Sequence, residues 1–439
     1  MVNHNTAHTL LVALFLLSST AFSQEQADTA VSLQSKAPNV YIDCSSCDEN
    51  YIRTEISFVN YVRDRLQADV HVLITTRTTG GGGREYTLTF IGQNNARGID
   101  DTLTFTTKQS DTQDMIRSAL VHYLKLGLAR YVARTPLSEF LTISYKKPSA
   151  AAQVVDKWDY WTFSININSN INGQQTTSFL YLNGGISARR ITEEWKLRFS
   201  VNANYNESTF KYDVSTQTGT ETITIKSFSR GQNFNALAVK SISDHWSVGG
   251  FGSAFTSTFS NTKLSWNLAP AIEYNLYPYS ESTRQQLRFL YRIGYTRVLY
   301  YEETIFDKTS ESLGNQSLSV TLDLKQPWGS ITTSIEGSHY LHDVNKKRVS
   351  IFAGLSLRLF EGLSLNLFGN YSRLNDQLAL RKGTASQEEV LLQRRQLATN
   401  YNYFAFVGLS YTFGSIYNNI VNPRFGDSGG GFSFSFSSN

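Results

Sequence analysis

Three short stretches hold residue types that could do chemistry. CSSC, Cys44 to Cys47, has the spacing of redox dithiols, between a predicted strand and a predicted helix whose N-terminus would lower a thiol pKa. No Trp precedes the first Cys and no Pro separates the pair, so a small structural disulfide is the preferred reading. Two cysteines cannot complete a zinc site, and no metal or cofactor is implied. His339 and His342 stand beside Ser338 and Asp343, types that a surface hydrolase uses. No Ser, His, Asn constellation is recoverable, and His339 has the parity of an apolar face, so ordinary loop polarity is the plainer account. TGGGGRE, 79–85, lacks the Lys and Ser or Thr of a phosphate loop and reads as a hairpin loop. No catalytic residue is assigned, and an enzyme ranks third among the functional hypotheses.

The remaining chemistry is charge carried on alternating strands. In VSIFAGLSLRL, 349–359, Val349, Ile351, Leu355, Leu357 and Leu359 share one face, while Ser350, Gly354, Ser356 and Arg358 share the other. The dry face looks either at a protein core or at lipid. Composition leans toward lipid. Mean hydropathy is −0.28 and 41% of the 439 residues are apolar, which makes helical membrane spans implausible, yet 13% are aromatic and only two are Cys. The one long apolar run, HTLLVALFLLSSTAFSQ, reads as a secretory signal over 1–23 cut near Ser23, with no Cys after the cut to anchor a lipid. A net charge of +4 implies no nucleic-acid partner.

These signals divide the chain. Residues 24–38 form a linker, and 39–137 a small α/β domain. There NVYIDC, DVHVLITTRT, REYTLTFIG and DTLTFTTK read as strands and DENYIRTEISFVNYVRDRL as an amphipathic helix. A second helix spans 111–133, with Asp111 and Asp114 as its capping signature. A linker at 138–157 follows. From 158 to 414 about twelve strand-like runs succeed one another, at 158–171, 177–190, 194–211, 222–240, 245–260, 262–277, 285–302, 315–326, 328–341, 346–360, 362–374 and 398–413. Most have the length that a tilted membrane strand needs. Parity is clear in most; the fourth and fifth are ambiguous, since Leu237 and Val239 compete with Phe234, Ala236 and Ala238 for the apolar face.

Loop lengths orient the array. Connections such as RITEE, SISDH, YSEST, QPWG and FEG are tight, whereas VSTQTGTET, YEETIFDKTSESLG and 375–400 are long, the last with a predicted helix capped by Ser386 and Glu389. Trp158, Trp161, Trp195, Trp246 and Trp328 fall near the ends served by tight turns and Trp266 near the others, as an interfacial girdle would place them. The tail, 415–439, ends in FSFSFS, which would alter the count if it were a strand.

With YFAFVGLSYTF ending at Phe413, the stretch 160–414 resembles the outer-membrane β-barrel proteins of Gram-negative bacteria. The resemblance implies two parts: a small periplasmic α/β domain, then an antiparallel up-and-down transmembrane β-barrel of about 12 strands. It also implies outer-membrane lipid around the barrel, and recognition of the Phe413-terminated strand by the barrel assembly machinery. Residues 39–134 more weakly resemble periplasmic α/β modules such as the TolB N-terminal domain. Strand parity then turns Arg189, Lys196, Arg198, Arg288, Lys325 and Arg358 inward near the periplasmic end, with Arg292 deeper, against Asp323, Glu336 and Glu273. Such a lining resembles the basic-lined twelve-stranded porins that pass acidic oligosaccharides; alternatively the charges pair across a narrow barrel and close it. The first functional expectation is a passive channel for small anionic or sugar solutes. The second is a membrane anchor or assembly platform whose domain, 39–137, binds a periplasmic protein partner.

Overall fold

The computed structural model describes residues 35–145, 156–216, 219–385, 396–422 and 424. The signal segment 1–23, the capping pair Ser386 and Glu389, and the FSFSFS run lie outside them. The chain forms two sheets. The first, in the α/β domain, has five strands: β1 (Asn39–Asp43), β2 (Asn60–Tyr61), β3 (Val70–Thr78), β4 (Arg84–Gly92) and β5 (Asp101–Thr106), in the order β2-β1-β3-β4-β5. β1 runs parallel to β2 and β3; β3, β4 and β5 form an antiparallel meander.

Two helices, α1 (Glu49–Glu55) and α2 (Gln113–Val132), cover one face of this sheet. Val40, Val72, Leu88 and Phe90 from the strands meet Ile52, Leu124 and Leu128 from the helices in one buried cluster. Thr112 caps α2, its Oγ1 accepting from Met115 N at 3.3 Å. Asp111 is occupied instead with the amide of Lys108.

The first helix is shorter than its amphipathic pattern predicts. Ile52, Ile56 and Val59 keep helical spacing and are all buried, but the chain leaves the helix after Glu55 and turns Asn60 and Tyr61 into a strand beside β1. The far edge of β2 explains this. An antiparallel bridge joins Val62 to Tyr417, Arg63 N donates to Ile416 O at 3.1 Å and Asn418 N donates to Tyr61 O at 2.8 Å. A segment some 350 residues away thus completes the hydrogen bonding of a strand that local propensity alone would not form.

The second sheet contains twelve antiparallel strands in sequence order: β6 (Trp161–Gly173), β7 (Thr177–Ile191), β8 (Trp195–Thr216), β9 (Gly219–Ser241), β10 (Trp246–Ser257), β11 (Thr262–Asn275), β12 (Gln285–Tyr300), β13 (Ser310–Gln326), β14 (Gly329–Tyr340), β15 (Asp343–Phe360), β16 (Leu363–Leu374) and β17 (Tyr401–Tyr411). Every neighbour pair is an up-and-down hairpin, and β6 and β17 are the terminal strands. The sheet curls so that both of its flanks reach the α/β domain: Gly80 approaches Ile191 at the end of β7, and 416–419 follow β17 onto β2.

Several boundaries differ from the sequence pattern for local reasons. Asp159 and Tyr160 adopt left-handed φ of 47° and 63°, which breaks the extended run and starts β6 at Trp161. The described residues of VSTQTGTET are strand rather than loop, because β8 and β9 stay paired out to Thr216 and Gly219. β17 stops at Tyr411, with Phe413 beyond it stacked on Tyr411 at 5.5 Å. The loop asymmetry therefore rests on two long connections, 301–309 and 375–400.

Face assignment follows from register. Lys196 pairs with Val239 and Arg198 with Leu237, so Leu237 and Val239 share the polar face, and Phe234, Ala236 and Ala238 lie on the other. That other face holds exposed Ile165, Ile167, Leu268 and Leu318, whereas the polar face holds buried Ser247, Ser265, Asn275 and Ser317. The polar face is thus the inner one. Trp161, Trp195 and Trp246 open β6, β8 and β10, Trp328 immediately precedes β14, and Trp158 precedes β6. All five mark the same end of the sheet.

Gly127 of α2 tests the packing of the small domain. Alanine is the better helix former by about 1 kcal/mol, but a Cβ there would collide with the Phe90 ring. Gly127→Ala is therefore predicted to destabilise the domain by about 1–3 kcal/mol, read as earlier loss of its structure in urea. A neutral or stabilising result would contradict the close approach of α2 to β4.

Candidate functional site

The five-stranded sheet has two faces of opposite character, because its residues alternate. Val40, Val72, Leu88 and Phe90 face the helices. Tyr41, Asp43, His71, Thr75, Thr87 and Thr104 occupy the other side, and that side faces one end of the twelve-strand sheet.

At the centre of this seam is Asp43, the last residue of β1. Both terminal guanidinium nitrogens of Arg358 on β15 donate to it, Nη2 to Oδ1 at 2.6 Å and Nη1 to Oδ2 at 2.8 Å. His71 on β3, fully buried, places Nε2 3.1 Å from Asp43 Oδ2. A carboxylate only accepts, so His71 carries its proton on Nε2. The Tyr41 ring completes the group, edge-on to His71 at 5.2 Å and 5.4 Å from the guanidinium carbon of Arg358. Burial pushes the Asp43 carboxyl up, but hydrogen bonds from His71 and Arg358 outweigh it and hold the group below its ordinary 3.8.

Further contacts fix the domain around this point. Gly362 N donates to Asp64 Oδ2 at 2.9 Å, and Gln67 meets Glu361. These partners lie in the β15–β16 turn. Between them the seam leaves space. One cleft of 690 Å³ separates Thr87, Thr89, Thr102 and Thr104 from the β11–β12 connection. Another of 390 Å³ sets Cys44 and Ser45 opposite Lys325 and Ser356. Cys44 and Cys47 are disulfide-bonded at the edge of that cleft.

The inner-face charges are mostly paired rather than free. Arg288 lies 3.7 Å from Glu273, and Arg292 lies 2.8 Å from Glu336 while also donating to Ser317. Asp323 accepts from Thr332 at 3.2 Å. In a wall of low dielectric an unpaired ion is costly, and side chains two strands apart can reach one another. Arg189 and Arg198 differ, standing directly opposite each other in the ladder with Lys196 two residues along. Among the described residues Arg189, Lys196, Arg198 and Lys325 have no carboxylate within ion-pair distance, and Arg198 Nε is buried without a partner. The basic lining reduces to this cluster and Lys325. His339 is bound to Gln316 at 2.7 Å and to its neighbour's carbonyl, which leaves it no part in a hydrolase arrangement.

The opposite end is crossed by the chain itself. After β16, Leu378 packs against Val298, Tyr300 and Leu313, inner-face residues of β12 and β13. Ile305 N donates to Leu380 O at 2.8 Å, Asn261 Nδ2 donates to Ala379 O at 3.1 Å, and Arg381 pairs with Glu302 at 3.2 Å. This connection therefore reaches from β16 across to the β10–β11 and β12–β13 loops.

One feature escapes a search for charged or nucleophilic residues. Asn recurs at every second position in SININSNING, VNANYNES and GQNFNAL, and register turns all of these onto the inner face. Gly185 shows how they pack, since a Cβ there would collide with the amide oxygens of both Asn166 and Asn202.

No protein-family model matches the chain, and no curated protein matches it. Among solved structures it is similar to the NanC porin in a rhombohedral crystal form, with 9% identity and a TM-score of 0.26, over 53% of this chain and 94% of that one. The architecture stands on its own strand pairing: a small α/β domain seated on one end of a twelve-strand antiparallel up-and-down sheet.

The Asp43–Arg358 contact makes a clear demand. Hydrogen bonds to charged groups contribute about 1.5–3 kcal/mol, so Asp43→Asn and Arg358→Ala should each speed hydrogen exchange in the 361–362 turn, and the double variant should do no worse than either single one. Additive effects, or none, would contradict the pairing. Because the docked Asp43 has a lowered pKa, its contribution is complete above pH 3.8 and is lost only as pH falls through the lower docked value. Exchange at this turn should stay flat from pH 8 to pH 5 once corrected for intrinsic rates.

Proposed function

We propose that the chain is an outer-membrane channel whose periplasmic mouth is covered by its own α/β domain. In a bilayer the apolar outer face meets lipid, and β6 pairs with β17, because an unpaired strand edge in hydrocarbon costs several kcal/mol per group. The Trp-marked end lies at the periplasmic interface and the long connections lie outside. The observation that carries the reading is the polar face of the small sheet lying over the barrel end, latched by Asp43 to Arg358. A domain needed only for binding elsewhere has no reason to bury its charged face against the barrel. The solutes are small and polar, and the cations Arg189, Lys196 and Arg198 near the covered mouth favour anionic or sugar solutes.

A second reading is favoured by the crossing at the other end. With both ends covered, the barrel could serve as an anchor, the helical side of the domain facing a periplasmic partner. Bilayer recordings separate the two. The channel reading predicts low open probability for the full chain, and several-fold longer or more frequent openings for Asp43→Ala and Arg358→Ala. Silence in all three proteins would favour the anchor; equal, fully open conductance in all three would contradict the cover.

A further inference from the structure

The asparagine-rich inner face carries an open cavity toward the end away from the α/β domain. It has a volume of 560 Å³ and lies across β8, β9 and β10. Asn204 and Asn206 from β8 and Asn233 and Asn235 from β9 line it, with Phe255 from β10 and Phe259 from the following loop. Both rings are about two-fifths exposed. Each therefore keeps flat apolar surface open beside the asparagines.

We propose that this cavity binds a neutral oligosaccharide. The proposal deepens the channel reading, since it needs the inner face to line a lumen. Each Asn amide offers two donors and an acceptor on one rigid plane, which matches the paired donor and acceptor character of adjacent sugar hydroxyls. Asn206 Nδ2 already makes such a contact with the hydroxyl of Ser229, at 3.3 Å. The exposed rings supply flat apolar surface for the C–H face of a pyranose, and neither needs a charge. Charge is sparse at the site. Arg230 borders the cavity, but its guanidinium lies over the rings of Tyr205 and Phe228, 5.6 and 5.3 Å from their centroids. Tyr205 alternates with Asn204 and Asn206 and so belongs to the outer face. The unpaired cations Lys196 and Arg198 sit at the opposite end of β8, with Arg189 beside them on β7. Register spacing supports an extended ligand over a single ring, because inner-face Asn repeats every second residue, about 6.6 Å apart along a strand.

Isothermal titration of the full-length protein in detergent tests this without requiring conduction. The probes are maltohexaose, cellohexaose and xylohexaose, with a hexagalacturonate as the charged counterpart. The proposal predicts binding of at least one neutral hexasaccharide more tightly than the hexagalacturonate. Asn204→Ala, Asn235→Ala and Phe255→Ala should each weaken it tenfold or more, while Leu268→Ala on the outer face leaves it unchanged. Retained heat-modifiable migration on gels shows that each variant is folded. Binding of the hexagalacturonate alone, of no probe, or with an affinity indifferent to Phe255→Ala overturns the proposal. A silent bilayer with intact saccharide binding would instead sink the channel reading and leave the site standing.

Discussion

The structure hinges on one ion pair placed between two independently built parts. Arg358 lies on a strand of the twelve-strand sheet and Asp43 ends the first strand of the small domain, 315 residues away. Neither group would be stable at its position without the other. A carboxylate at the end of a central strand, against a fully buried His71, needs cationic donors; a guanidinium on the inner face needs an acceptor. Two-point hydrogen bonding fixes orientation as well as distance, so this contact sets how the domain sits.

The remaining contacts follow from alternation. A strand with one apolar and one polar face can satisfy two surroundings at once, and both sheets exploit it. In the small domain the apolar side takes the helices and the threonine-rich side takes one end of the twelve-strand sheet, leaving polar-lined clefts between them. In the large sheet the apolar side is turned outward and the polar side inward, where Arg292 and Glu336, Arg288 and Glu273, and a field of asparagines neutralise one another's demands. The connection after β16 crosses part of the far end by the opposite device, inserting Leu378 among apolar inner residues.

Much of this was legible in the sequence. The period of two in 349–359 defines β15 and its faces, and the twelve runs correspond to twelve strands because strand length and parity are local properties. The failures share a cause. β2 depends on residues 416–419, the register of Leu237 depends on Arg198, and the partner of Arg358 lies in another domain. No local pattern holds such information. The asparagine repeat is different, for it stands in plain view at positions 166, 168, 170 and 172. A neutral amide is neither charged nor nucleophilic, yet periodicity of one polar type on an inner sheet face is itself a chemical signal.

The seating of the domain is the claim on which the account stands, and a tether tests it most directly. Gly80, at the tip of the β3–β4 hairpin, lies so close to the end of β7 that an added Cβ would be 2.9 Å from that of Ile191. In the full-length protein carrying Gly80→Cys with Ile191→Cys, mild oxidation should join the two thiols in most molecules, seen as a shifted band on a non-reducing gel. Two thiols that remain free and are labelled independently by maleimide would mean that the domain does not rest on the end of the twelve-strand sheet, and would contradict the account.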